Sequence, residues 1–221
     1  MDVKKFDSDL KTISERVSKE QPREIKHKLD EIRLHLVGMY KSNLVKINHS
    51  VIELICAHQL LNESYNVSVE RKIGENLVCD VYGERGEGRI IVEIETGFVP
   101  PSRALEPSSY TNARIISKIA RYSPFADKFV LGTTVSNILP VPELFRKLPR
   151  MRTVNDINKA KNLCDAYYAH PPIPIEQITY GEMHAIFIID VDLGRVRETS
   201  IEDYLMDTKS IRYERASTGP H

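Results

Sequence analysis

The chain has 221 residues, 41% of them hydrophobic and 28% charged, and its 31 basic and 31 acidic side chains balance at neutral pH. This length and composition predict one sizeable ordered domain, with or without an appendage, and exclude a disordered or strongly charged protein. The chain has no run of about 18 apolar residues, and its N-terminus lacks the apolar core of a signal peptide. We therefore expect a cytoplasmic, intracellular protein with no membrane span.

Two amphipathic helices are predicted in an N-terminal extension, residues 1–42, with a break near Pro22. Apolar residues recur at spacings of three and four, first at Phe6, Leu10, Ile13 and Val17 and then at Ile25, Leu29, Ile32 and Leu36. Each apolar stripe needs a partner. The two helices form either an extra layer on the same domain or a dimerisation arm.

Residues 43–212 are predicted to form an α/β domain, in which helices flank a mixed central β-sheet. The predicted elements are a helix at 47–63, strands near 65–73, 77–82 and 89–95, a helix at 109–122, a strand at 128–135, a helix at 155–170, a strand at 184–191 and a short helix capped by Thr199 or Ser200. Residues 171–177, PPIPIEQ, indicate a stiff connector. Residues 213–221 are interpreted as a tail that is disordered or derived from an expression vector.

The most informative stretch is residues 77–97, LVCDVYGERGEGRIIVEIETG. Two β-branched runs joined by a glycine-rich turn predict a β-hairpin. Glu93 and Glu95 project from the same face of its second strand, and Asp80 on the first strand can join them. Three converging carboxylates repel one another. A divalent cation such as Mg²⁺ that binds their oxygens is the main way to offset this repulsion. The stretch therefore indicates metal-dependent phosphoryl chemistry.

The order of these elements resembles the PD-(D/E)XK nuclease superfamily. A helix containing Glu53 is followed by a strand, the strand with Asp80 and the strand with Glu93, Ile94 and Glu95. The resemblance covers roughly residues 47–135. Within the superfamily, the chain looks most like archaeal Holliday junction resolvases and related nucleases of archaeal viruses. The expected fold is a restriction-endonuclease-like core.

The resemblance implies a role for each matching residue. Glu53 matches the helix glutamate, Asp80 the metal-binding aspartate and Glu93 the second acid, with the backbone carbonyl of Ile94 as a further metal ligand. Glu95 stands where the superfamily usually has a lysine that activates water or steadies the scissile phosphate. Some restriction endonucleases have glutamate there and remain active. Glu95 is accordingly predicted to hold a second metal ion or to orient the water.

A carboxylate cannot supply the positive charge of the missing lysine, so another residue must supply it. Lys118, on the helix after the acidic stretch, is the first candidate for this catalytic role, and Lys72 is the second. Arg114, Lys118 and Arg121 share one face of that helix and are predicted to contact the nucleic-acid backbone. Residues 98–169 carry 11 basic and 5 acidic side chains, against 15 and 17 in residues 1–97, which suits a phosphate-binding surface or a solvated mixed-charge face.

The favoured hypothesis is a Mg²⁺- or Mn²⁺-dependent DNA endonuclease, and its substrate is left open between branched or junction DNA, a flap, a nicked duplex and a single strand. A homodimer is expected because two strands need two active sites. The alternative is a non-catalytic nucleic-acid-binding protein that keeps a degenerate nuclease fold, and the missing lysine favours it.

Other candidate groups are assigned no functional role. Widely spaced cysteines in apolar surroundings predict reduced core thiols: Cys56, Cys79 and Cys164. Asp190 and Asp192 resemble the acidic pair of phosphotransferases or glycosyltransferases, but only about 30 residues follow them, so a turn is predicted. Six of the seven histidines were considered as ligands and show no paired spacing: His27, His35, His49, His58, His170 and His184.

Overall fold

A computed structural model describes the backbone of residues 2–217 and the side chains of residues 2–209. It contains a six-stranded sheet, whose strands are β1 (Asn66–Gly74), β2 (Leu77–Arg85), β3 (Gly88–Ile94), β4 (Lys128–Thr134), β5 (Ala185–Asp190) and β6 (Arg195–Thr199). The helices are α1 (Val3–Ser18), α2 (Arg23–Lys41), α3 (Ile47–Asn62), α4 (Pro107–Tyr122), α5 (Val154–Tyr167), α6 (Ile175–Tyr180) and α7 (Ile201–Ser217). The α/β class, the mixed central sheet flanked by helices and the N-terminal helical part are confirmed.

The strands lie in the sheet in the order in which they occur along the chain. Strands β1, β2 and β3 form an antiparallel meander, β3, β4 and β5 are parallel, and β6 returns antiparallel to β5. The predicted hairpin is present, since β2 and β3 meet through a two-residue turn. Gly86 in that turn has φ +61°, a conformation that glycine adopts without strain.

Helices cover both faces of the sheet. Helices α1, α2 and α3 pack on one face and bury the N-terminal apolar stripes, with Leu10, Leu29 and Leu36 fully inaccessible. Helices α4, α5 and α6 cover the other face, together with part of α7. Of the two alternatives for the N-terminal helices, the extra layer on the same domain is therefore correct. The homodimer remains a prediction.

The structure corrects several boundaries in the C-terminal part. The helix predicted at 155–170 ends at Tyr167, and α6 begins inside the segment interpreted as a connector, directly after Pro174. Strand β6 was not predicted because its five residues, RVRET, carry only one strongly apolar side chain. Helix α7 continues to Ser217, into the segment interpreted as a tail, and residues 218–221 lie outside the described residues.

Two smaller predictions agree with the structure. The Ser200 hydroxyl accepts a hydrogen bond from the Asp203 backbone and caps α7. Asp190 accepts a hydrogen bond from the Leu193 backbone in the turn between β5 and β6. Over residues 2–217, no helix has the length and apolar character needed to cross a bilayer.

Candidate metal centre

The alternation of β3 directs its acidic residues toward α4. Ile90, Val92 and Ile94 belong to the core beneath α1, α2 and α3, so the residues between them face the opposite layer. Glu93 is buried on that side, and Glu95 follows directly after the strand with 3% of its surface exposed. The predicted common face is therefore present, although Glu95 lies just outside the strand.

The backbone hydrogen bonds between β2 and β3 are interrupted at Asp80. Pairing between the two strands reaches Val81 and Val92 and stops there. Side chains replace the next backbone bonds. The Asp80 N–H donates to Glu93 Oε1 at 3.0 Å, and the Ile94 N–H donates to Asp80 Oδ2 at 2.6 Å. This arrangement fixes the two carboxyl groups next to each other at a gap in the sheet.

The ammonium group of Lys118 lies between the oxygens of this gap. Its Nζ is 2.7 Å from the Ile94 carbonyl oxygen, 3.1 Å from Glu93 Oε2 and 3.4 Å from Asp80 Oδ2. These three oxygens are the ones that the resemblance assigns to a metal ion. Lys118 supplies one positive charge to these oxygens and so offsets part of the repulsion that was expected to require a metal. A metal ion held by Asp80, Glu93 and the Ile94 carbonyl stays a prediction.

Burial and charge set the ionisation of this cluster. Burial opposes the charged form of Lys118, but Asp80, Glu93 and Glu95 outweigh it and raise its pKa above the usual range, so it remains charged. One ionised carboxylate already balances the ammonium. Burial and the charge of Asp80 therefore raise the pKa of Glu93 to about 8.

A second group of ligand atoms meets Asp80 from the other layer. His49 and Glu53 lie one turn apart on α3, and His49 Nδ1 is 3.1 Å from Glu53 Oε1 and 3.8 Å from Asp80 Oδ1. One ligand atom from each of the three residues lies within 4.8 Å of the others, so the group could hold a metal ion. Asp80 thus connects groups from helices on opposite faces of the sheet.

Glu53 has a side-chain oxygen that lacks a hydrogen bond. It is fully buried, and its Oε2 atom has no hydrogen-bond partner within the described residues. The Glu70 carboxyl on β1 lies within hydrogen-bonding reach of the Glu53 carboxyl, and burial together with the charges of Glu53 and Asp80 raises the pKa of Glu70 to about 8. Glu70 also has φ +49°, a costly conformation for a non-glycine residue.

Glu95 and the arginines of α4 have partners of their own. Arg114 forms an ion pair with Glu95 and donates a second hydrogen bond to the Phe98 carbonyl oxygen, while Glu95 also accepts from the Gly97 N–H. Arg121 donates to the Pro171 carbonyl oxygen. Lys72, the second candidate for the missing cation, is exposed on β1 and forms no ion pair with these carboxylates in the described part of the chain.

The structure therefore brings together most, but not all, of the predicted site residues. Asp80, Glu93, the Ile94 carbonyl and Lys118 converge, and Glu53 adjoins them through Asp80. His49 and Glu70 were missed. The spacing of four between His49 and Glu53 on one helix is the signal that could have identified His49, whereas the backbone conformation that distinguishes Glu70 leaves no trace in the sequence.

No family model matches this chain, and no curated protein or solved structure matches it either. The functional argument consequently depends on the geometry of the site itself.

The metal-free protein is expected to lose stability as the pH rises from about 4.5 to about 8. Glu93 and Glu70 keep their protons up to about pH 8 when folded, whereas in the unfolded chain they lose them near the ordinary value of 4.5. The unfolded state thus binds fewer protons than the folded state across this window. For each proton of difference, the free energy of unfolding falls by up to about 1.4 kcal/mol for every unit by which the pH rises. Urea titrations at pH 5, 6.5 and 8 measure this change. A stability that rises with pH would contradict the assignment.

Proposed function

We propose that this protein is a metal-dependent nuclease that hydrolyses phosphodiester bonds in DNA. The observation that carries the proposal is the convergence of Asp80, Glu93 and the Ile94 carbonyl on the Lys118 ammonium at the gap between β2 and β3. In the sequence, the strongest argument against catalysis was the missing lysine at position 95. A lysine from α4 that reaches the same carboxylates supplies the missing charge and removes that argument.

The ligand set fits a divalent cation. His49, Glu53 and Asp80 offer an imidazole nitrogen and two carboxylates, and the buried, unpartnered Glu53 Oε2 atom is a ligand atom that lacks an electropositive partner. Carboxylates suit Mg²⁺ and Mn²⁺, and the imidazole favours Mn²⁺ of the two. A bound cation would lower the pKa of a coordinated water and neutralise charge that develops on the phosphate.

The residues of the chain would have distinct tasks around this centre. Lys118, which remains charged, would neutralise a non-bridging oxygen of the scissile phosphate. Glu93 would orient water or, once it has lost its own proton, accept one from that water, because its raised pKa of about 8 lies close to neutrality. Without a bound cation, His49 Nδ1 holds Glu53 in place through a hydrogen bond of 3.1 Å.

DNA is proposed as the substrate because basic residues predominate in the segment that follows the acidic strands. Residues 98–169 contain 11 basic and 5 acidic side chains, and such an excess attracts a phosphate backbone. We also propose that the substrate is a branched or junction DNA. The protein would act on it as a homodimer with two active sites. Arg114 and Arg121 have the partners within the protein described above, so their proposed DNA contacts require those partners to be shared or released.

Removal of the central acids is expected to abolish cleavage. Asp80→Asn and Glu93→Gln each replace an ionisable carboxyl group by an amide of similar volume, so Mn²⁺- or Mg²⁺-dependent cleavage should fall by about 10²-fold or more. The assay compares linear, nicked, flap and four-way DNAs with and without each cation. Lys72→Ala, at an exposed position on β1, serves as the control. Full activity in both acid variants would contradict the proposed site.

A further inference from the structure

The pairing of β1 with β2 is interrupted at Glu70. The two strands pair on either side of Glu70 and Asp80 but, within their described length, not at these two residues. Val69 packs in the core beneath α1, α2 and α3, whereas Arg71 stacks on Tyr82, which belongs to the core of the opposite layer. Alternate residues of a regular strand face the same layer, so β1 changes the layer that it faces at Glu70.

The backbone of Glu70 makes this change at an energetic cost. Its φ of +49° lies in the left-handed region, which glycine and asparagine adopt far more readily than glutamate. The chain nevertheless has a glutamate at this position. A costly conformation in a residue whose side chain reaches a cluster of ligand atoms indicates a task for that side chain.

The Glu70 side chain meets acidic groups that lack a metal cation or a strong base of their own. Its carboxyl group lies next to that of Glu53 on α3. Glu53 has no exposed surface, and its Oε2 atom lacks a hydrogen-bond partner within the described residues. Asp80 adds a third carboxylate, and His49 is the basic side chain that bonds to Glu53. A buried carboxylate without a partner is costly, and a divalent cation would supply a partner for both glutamates.

A cavity of about 540 Å³ between α2 and β1 leads to Glu70. Glu70 lines this cavity, and the exposed side chains of Glu31 and His35 on α2 line it as well. The cavity gives the Glu70 carboxyl group room to turn. It also gives a cation a path into the protein, which a metal site requires, and a cation that enters here meets Glu70 before the fully buried Glu53.

The basic residues in the wall of this cavity have acidic partners of their own. Lys28 forms an ion pair of 3.2 Å with Glu24, and Arg71 forms one of 3.4 Å with Glu84. Both pairs lie at positions where solvent screens the charges. They therefore leave the carboxyl groups of the site without compensation.

We propose that Glu70 is a fourth protein ligand of the divalent cation site formed by His49, Glu53 and Asp80. The inference depends on the metal site of the proposed function and adds a residue to it. The Glu70 carboxylate turns toward the cation, and the unpartnered oxygen of Glu53 binds the same ion. Three carboxylates and one imidazole suit Mn²⁺ better than Mg²⁺, because Mg²⁺ keeps several waters and is usually held by one or two carboxylates.

The test measures Mn²⁺ binding in the absence of DNA, from the electron paramagnetic resonance signal of the free ion. Glu70→Gln keeps the shape of the side chain and removes its charge. Glu70→Asp and Glu70→Asn repeat the comparison of acid with amide in side chains that tolerate the left-handed backbone. We expect each amide to bind Mn²⁺ at least about tenfold more weakly than the matching acid. Glu75→Gln removes an equal charge from the turn after β1, about 16 Å along the strand, and should leave the affinity unchanged.

A structural role for Glu70 gives a different result, because an amide can replace a protonated carboxyl group as the hydrogen-bond donor to Glu53. Amides that bind Mn²⁺ as tightly as the matching acids therefore overturn the inference, and the nuclease proposal stands if metal-dependent cleavage persists. Mn²⁺ binding that depends on Glu70, without cleavage of any DNA, supports the inference and contradicts the nuclease proposal. A wild-type protein that does not bind Mn²⁺ overturns both. Circular dichroism verifies that the variants are folded, and the Asp and Asn pair decides the test if Glu70→Gln is not.

Discussion

Replacement of Lys118 by methionine is expected to raise the affinity for divalent cations while abolishing cleavage. The ammonium group lies within 3.4 Å of the Asp80, Glu93 and Ile94 oxygens, so a cation that binds there must displace it. Methionine keeps the length of the side chain and removes its charge. The cation then meets one more unit of net negative charge and no competitor, and we expect its affinity to rise by about tenfold or more.

Thermal unfolding at increasing MnCl₂ concentrations measures this effect, because a ligand that binds only the folded state stabilises it by mass action. Without metal, Lys118→Met should be destabilised by about 3–5 kcal/mol, the usual cost of removing one partner from a buried ion pair. With metal, its melting temperature should rise more than that of the wild type. Arg121→Met is the matched control, since Arg121 lies one turn further along α4 and bonds to a carbonyl oxygen instead. A smaller metal-induced shift in Lys118→Met than in the wild type would contradict the prediction.

The result also separates the two functional hypotheses. If the wild-type protein shows no metal-induced shift and Lys118→Met does, Lys118 permanently occupies the cation position and the non-catalytic nucleic-acid-binding alternative is favoured. If the wild-type protein gains stability with metal and cleaves DNA, the cation has a site at His49, Glu53 and Asp80 that the ammonium of Lys118 does not occupy. The second outcome is the one that the proposed function requires.

Sequence patterns alone predicted much of the fold. Apolar residues at helical spacing located α1, α2, α3 and α4, and β-branched runs located the hairpin, because burial of one side of each element imposes its period on the sequence. The C-terminal part was predicted less well. Strand β6 is short, polar and at the edge of the sheet, and α6 consists of six residues between prolines and a glycine, so neither produces a clear period.

The sequence predicted which residues form the candidate site better than it predicted how those residues are arranged. The carboxylates of Asp80 and Glu93 follow from strand pairing, and the search for a compensating cation identified Lys118. Two features depend on tertiary structure. The gap between β2 and β3 brings His49 of α3 and Lys118 of α4 to the same carboxylate from opposite layers, and no local pattern encodes that. The partner of Glu95 was also missed, because Arg114 was assigned to a phosphate.

Loss of Arg114 is expected to destabilise the protein about as strongly as loss of Lys118. Glu95 and Arg114 form a buried ion pair, with 3% and 16% of their side-chain surfaces exposed. Arg114→Met leaves the Glu95 carboxylate buried without its cation, which costs about 3–5 kcal/mol of unfolding free energy. The double variant Arg114→Met with Glu95→Gln removes the orphaned charge and should recover much of that loss. Urea denaturation of both single variants and the double variant gives the coupling energy.

Glu95→Gln alone then decides what Glu95 contributes to catalysis. Its carboxylate already accepts hydrogen bonds from Arg114 and from the Gly97 backbone, and it is not among the residues that converge on Lys118. We therefore expect the cleavage rate of Glu95→Gln at saturating DNA and Mn²⁺ to remain within about tenfold of the wild type, with the main effect on stability. If the rate instead falls by about 10²-fold or more while the melting temperature is unchanged, Glu95 acts on water or a second metal ion, as the resemblance implies. Arg114 would then serve to position a catalytic carboxylate, because the ion pair fixes the orientation of Glu95.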